Sequence, residues 1–121
     1  MAEFNRIEER RRYPRVESHV ALQYKNLRKV GEPAIGSVAK DIGAGGIRFR
    51  TNQFISLACR LIVEISLPTV SKPVKAISKV AWIRKVSTGD YYELGNQFLE
   101  ITKEDKAHIM SFVNSVLETT I

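Results

Sequence analysis

Through most of the middle of the chain, apolar and polar residues alternate with a period of two, the pattern of strands that bury one face only. Val20, Leu22 and Tyr24 share one face, while Ala21, Gln23 and Lys25 take the other. "EPAIGSVAKDI" supplies a second strand, and "GIRFR" a third that turns Ile47 and Phe49 inward and Arg48 and Arg50 outward. In "CRLIVEISL", Cys59, Leu61, Val63, Ile65 and Leu67 line up on one side; "VKAISKVAWIRKV" follows the "PTVSKP" turn, with Val80 and Trp82 expected inside. After "TGD", the stretch "YYELGNQFLEI" sets Tyr92, Leu94 and Phe98 on one face. About six strands joined by short turns predict an antiparallel barrel or sandwich, because a parallel sheet would need long crossovers.

Near the C-terminus the period changes. Ile109, Phe112, Val113, Val116 and Leu117 fall at helical spacing, which predicts an amphipathic helix over about residues 102–119. Thr102 with Asp105 three residues on resembles a capping box. The helix's apolar stripe would cap the barrel's open end or pair with a second copy, giving a monomer or a weak homodimer.

A chain of 121 residues has the size of one domain. Its net charge of +6 favours anionic partners without choosing among phosphates, nucleic acid and a membrane surface. No apolar run approaches the ~18 residues of a membrane span, and the N-terminus is charged where a signal peptide is apolar, so a cytoplasmic protein is expected. The single cysteine, Cys59, reads as core filler, and no metal site is expected. His19 and His108 stand beside no nucleophile or paired carboxylate, so the chain reads as a binding protein and not an enzyme.

Two stretches ask for a ligand. Residues 1–17 form an arginine-rich arm expected to be flexible ahead of a single domain at 18–121, and Pro14 keeps the arm from continuing as a helix. In an extended arm Arg11 and Arg15 project from one side, about 13 Å apart at ~3.3 Å per residue. The second stretch, "KDIGAGGIRF", has glycines that let backbone N–H groups approach an anion.

Together and in this order the two stretches resemble the PilZ domain, the bacterial receptor module for cyclic di-GMP. Arg11-Arg12-Tyr13-Pro14-Arg15 is similar to the family's RxxxR motif, and Asp41-Ile42-Gly43-Ala44-Gly45-Gly46 to its [D/N]xSxxG motif; "YYELGNQFLEIT" resembles the closing strand. The resemblance covers nearly the whole chain and implies a six-stranded antiparallel split β-barrel with a C-terminal helix. Arg6 and Arg10 also satisfy RxxxR, but Arg11 and Arg15 lie closer to the first strand.

The implied ligand-binding residues are Arg10, Arg11, Arg12, Arg15, Asp41, Gly43 and Gly46. Arginine forks grip guanine O6 and N7, and Asp41 accepts from the guanine N1–H and N2–H donors. Gly46 would keep the turn open for the ligand, and Arg10 goes with an intercalated dimer of the nucleotide. Gly43 departs from the family serine; a lost hydroxyl bond to a charged group costs ~1.5–3 kcal/mol, so Gly43→Ser is expected to tighten binding. The implied function is a cyclic di-GMP receptor whose arm moves on binding and signals to an unnamed protein partner. The alternatives are a nucleotide-blind PilZ protein that acts by contact in motility or pilus assembly, and a small basic barrel for RNA or single-stranded DNA. Against the last stands the shortage of aromatics arranged as stacking platforms.

Overall fold

The computed structural model describes residues 13–119. Seven antiparallel strands precede one helix: β1 (Arg15–Glu17), β2 (Ala21–Asn26), β3 (Ile35–Gly43), β4 (Gly46–Thr51), β5 (Arg60–Ser66), β6 (Val74–Lys85), β7 (Tyr92–Ile101) and α1 (Lys103–Thr119). The sheet runs β1-β3-β2-β5-β6-β7-β4, and β3 also pairs with β4. That last pairing closes six strands, β2 to β7, into the antiparallel barrel expected from the sequence. β1 lies outside the ring as a short strand on β3, so the boundary expected at residue 17 falls within the barrel's own hydrogen bonding.

The alternating residues fill the barrel as their period demands. Leu22 and Tyr24 from β2, Ile47 and Phe49 from β4, and Leu61, Val63 and Ile65 from β5 are all buried. Helix α1 shuts the end where β3 hands over to β4, burying Ile109, Phe112 and Val113 on one stripe. Its N-terminus is capped as read, with Asp105 N–H donating to Thr102 Oγ1 at 3.0 Å. The reciprocal half of the box is replaced: Asp105 Oδ2 accepts from the Lys75 N–H at 3.2 Å and ties the first turn to β6.

One inward expectation fails. Trp82 is 38% exposed and stands on the outer surface. Val80 pairs with Asn96 and Trp82 with Gly95, so Ala81 is an extra residue on β6. A bulge of this kind reverses the facing of every later side chain on its strand, and period counting across it carries Trp82 to the wrong side.

Tyr24 links two sides of the core, its hydroxyl hydrogen-bonded to Thr51 Oγ1 at 2.5 Å and its ring 5.1 Å from that of Phe49. Burial pushes the hydroxyl pKa above the ordinary 10.0, and the bond to Thr51 pulls it partly back. A raised folded-state pKa means that this stability is intact below pH 10.0 and is lost as pH rises through the folded value. Tyr24→Phe should cost about 1 kcal/mol at neutral pH. In urea unfolding, the gap to wild type should shrink as pH climbs past 10.0; a constant gap would mean that Tyr24 ionises as freely folded as unfolded.

Candidate functional site

Strand register sets the outer side chains into rows that cross the sheet. Arg15 faces Gly43, which faces Gly46, then Gln97 and Lys79. The neighbouring row is Glu17, Asp41, Arg48, Gly95 and Trp82. Beyond it stand Arg50, Glu93 and Arg84. Four residues expected at the site, Arg15, Asp41, Gly43 and Gly46, therefore occupy two adjacent rows. Arg10, Arg11 and Arg12 lie outside the described residues.

Gly43 and Gly46 form a trough in which Arg15 rests. A Cβ on Gly43 would stand 2.6 Å from the Pro14 carbonyl oxygen and 2.9 Å from Arg15 Cγ. One on Gly46 would strike the Asn96 carbonyl oxygen and lie 3.1 Å from Arg15 Nη2. No glycine has a positive φ among the described residues, so these two serve close approach and not turn geometry. Gly46 is held under Arg15 and against β7; it does not leave an open turn.

Tyr13 secures the same segment from the other side. Its ring lies over Gly45, 3.2 Å from where a Cβ would be. Lys106 Nζ of α1 donates to the Tyr13 hydroxyl at 2.5 Å and sits 4.3 Å from the ring centroid. The helix thereby grips the residue two positions before Arg15.

Two carboxylates organise the guanidinium groups. Arg15 Nη1 is 3.7 Å from Asp41 Oδ1, and Arg48 Nε is 2.8 Å from Asp41 Oδ2. Asp41 Oδ1 is shielded from solvent and accepts no hydrogen bond among the described residues. Glu93, 3% exposed, draws in Arg84 Nη2 at 2.8 Å, Arg48 Nη1 at 3.4 Å and Arg50 Nε at 3.8 Å. Arg50 also lies 5.0 Å from the Tyr91 ring centroid. A buried carboxylate is tolerated because several guanidinium groups compensate it. Arg48 thus bridges both acids and fixes where Asp41 points.

Sequence reading reached Arg15 and Asp41 but not Arg84, Glu93 or the bridging role of Arg48. Only the outward facing of Arg48 and Arg50 was visible, since the partners across the rows depend on register. Trp82 was missed for the bulge described above; its indole occupies the place where a Gly95 side chain would stand. Beside these rows opens a surface concavity of about 1520 Å³ that takes in Tyr13, Arg15, Ala44, Gly45 and Phe98. Asp41, Gly43 and Gly46 are not part of its wall.

The trough adds a stability cost to Gly43→Ser, apart from any effect on binding. A serine Cβ cannot enter without pushing back the Pro14 carbonyl, and overpacking of this kind costs ~1–3 kcal/mol. The variant should melt earlier than wild type and exchange its Val16 and Glu17 amides faster. Unchanged protection there would show that β1 tolerates a side chain beneath it.

A comparison with protein-family profiles matches the PilZ domain over residues 9–115. Among solved structures, the chain is similar to the Bacillus subtilis inhibitor of motility MotI/DgrA, with TM-score 0.78 and 19% identity over 93% of this chain and 53% of that one. It is similar to the PilZ domain with c-di-GMP of YcgR from Escherichia coli, with TM-score 0.70 and 17% identity over 92% and 94% of the two chains. The K. pneumonia MrkH–c-di-GMP complex matches with TM-score 0.71 and 16% identity over 91% and 53%. The chain thus spans about half the length of the MotI/DgrA and MrkH chains. No curated protein sequence matches.

Proposed function

The chain belongs to the PilZ domain family, and we propose from its outer face that it is a binding module for cyclic di-GMP that relays the signal to a protein partner. One observation carries the reading: Asp41 Oδ1, an acceptor with no hydrogen bond among the described residues, lies beneath an arginine with which it makes only a 3.7 Å ion pair. If Arg15 lifts toward a ligand, both its fork and the carboxylate beneath become available together. A guanine edge matches that pair, with O6 and N7 as acceptors for the arginine and N1–H and N2–H as donors to the aspartate. The c-di-GMP present with the YcgR domain and with MrkH supports the choice of ligand.

Trp82 adds an exposed indole to the Asp41 row, on which a purine can stack. The concavity beside Arg15, about 1520 Å³, exceeds the ~300–1,000 Å³ of usual small-molecule sites. It adjoins the Arg15 end of the proposed site without including Asp41, and the stacked nucleotide dimer is proposed from Arg10 alone. Arg10, Arg11 and Arg12 belong to the same proposal through the sequence motif. One feature favours a nucleotide-blind protein instead: Gly43 offers no hydroxyl, and its space is filled by Pro14 and Arg15.

Calorimetric titrations with cyclic di-GMP, cyclic di-AMP, GTP and a short oligonucleotide separate these readings. Cyclic di-GMP should bind at least tenfold more tightly than cyclic di-AMP, whose purine has a donor where guanine has O6. Arg15→Ala and Asp41→Asn should each weaken it roughly ten- to a hundredfold, the range of one charge-assisted bond. No heat with any nucleotide would leave the contact-only reading; tighter binding of the oligonucleotide would leave the nucleic-acid one.

The arm's part in signalling has its own test. Tyr13 to Glu17 are held by β3, Gly45 and Lys106, so the change on binding belongs to the residues before Tyr13. Hydrogen exchange with and without cyclic di-GMP should show Val16 and Glu17 protected in both states and residues 6–12 gaining protection only with ligand. Equal exchange of residues 6–12 in the two states would remove the arm from the mechanism.

A further inference from the structure

The barrel end opposite α1 is formed by three connections, 27–34, 52–59 and 86–91. The three most exposed large apolar side chains among the described residues sit there: Phe54 at 63%, Leu57 at 61% and Val30 at 56%. Single exposed apolar residues are ordinary. Three on adjoining loops at one pole of a small barrel are not a scatter. The connections are tied together by Asn26 Nδ2 against Cys59 Sγ at 3.4 Å, Leu27 N–H to the Arg60 carbonyl at 3.0 Å, and the Phe54 ring 5.7 Å from that of Tyr92.

The outward turn of Leu57 is built into the loop. Ala58, next along, has φ 64°, a left-handed conformation that a non-glycine residue holds only under constraint. The constraint is visible: Ala58 N–H bonds the Val80 carbonyl at 2.9 Å, and Cys59 N–H bonds that of Ser56 at 3.1 Å. Ile55 meanwhile packs against the core. The loop is anchored at Ile55 and Ala58, while Phe54 and Leu57 stand off the surface.

Charge at this pole is one-sided. Lys25, Arg28, Lys29, Arg60 and Lys85 lie in or next to the three connections, against Glu32 and Asp90. Arg60 pairs with Lys79 at the far end of the Arg15 row; the other four stand off the rows that carry Arg15 and Asp41. We propose that this pole docks on an anionic lipid surface, with Phe54, Leu57 and Val30 entering the interface and these cations meeting lipid headgroups. Protruding apolar tips on cationic connections have the chemistry of interfacial binding, in which apolar insertion and attraction to anionic lipid act together. No helix among the described residues is long and apolar enough to cross a membrane, so the contact is peripheral. The nucleotide face lies on the barrel's side, and a docked molecule would keep it open to solvent.

Sedimentation of the whole chain with vesicles tests this directly, using equal parts phosphatidylglycerol and phosphatidylcholine against phosphatidylcholine alone. The protein should partition to the anionic vesicles only, and less so as salt is raised. Phe54→Ser with Leu57→Ser, and separately Arg28→Glu with Lys29→Glu, should each reduce partition about tenfold or more, with melting curves showing that both variants fold. A Leu57→Trp, Trp82→Phe variant should lose its fluorescence in vesicles of brominated lipid. No partition to anionic vesicles at low salt overturns the proposal. So does partition that survives the serine variant or leaves the introduced tryptophan unquenched, since contact would then be through charge alone.

Discussion

Strand β3 has more partners than any other element, and the site exists because of it. Its first half pairs with β2 and its second half with β1 on the same edge, while β4 takes the opposite edge and closes the ring. A register shift between Ala39 and Asp41 separates the two halves. Without the β3–β4 pairing the sheet would present two unpaired edges, an aggregation hazard, and Arg48 would not stand beside Asp41. Without β1, Arg15 would have no fixed position over Gly43. One nine-residue strand thus provides both barrel closure and the alignment of every described residue that we assign to the ligand.

Crowding arginines on one face has an electrostatic cost that the two acids offset. Like charges at cross-strand distance repel, and a purely cationic row would splay. Glu93 among Arg48, Arg50 and Arg84, and Asp41 between Arg15 and Arg48, give each guanidinium a counter-charge. The inner carboxylate is covered, although the side chains of its partners Arg50 and Arg84 remain partly exposed. Asp41 lies at the margin, 15% exposed, with Arg15 at 27%. The more buried of the two acids is Glu93.

Most of the barrel was legible because period two survives wherever a strand is regular. Leu61, Val63 and Ile65 follow the pattern without interruption and are all buried. The reading failed where backbone events leave no compositional trace. Ala81 is an ordinary residue, yet its bulge moves Trp82 from the inside to the outer face. The Asp105 N–H completes the Thr102 cap, but the Asp105 carboxylate accepts instead from the Lys75 N–H, a partner 30 residues away. Gly43 illustrates a third kind of gap. As a letter in a motif it looked like a missing serine hydroxyl; in space it is also room occupied by Pro14 and Arg15.

That occupancy bears on how a ligand could win Arg15. An ion pair at 3.7 Å, both partners partly exposed, contributes at most ~1 kcal/mol. A charge-assisted hydrogen bond from the same arginine to a ligand contributes ~1.5–3 kcal/mol, and a bidentate one more. Against that ion pair taken alone a ligand acceptor has the advantage, and on the proposed reading Asp41 stays compensated because Arg48 is 2.8 Å away. Release of Arg15 does not require release of β1, since the backbone pairing of Arg15 with Gly43 and the grip of Lys106 on Tyr13 are independent of the guanidinium. On the proposed reading the strand stays paired while the Arg15 side chain exchanges partners.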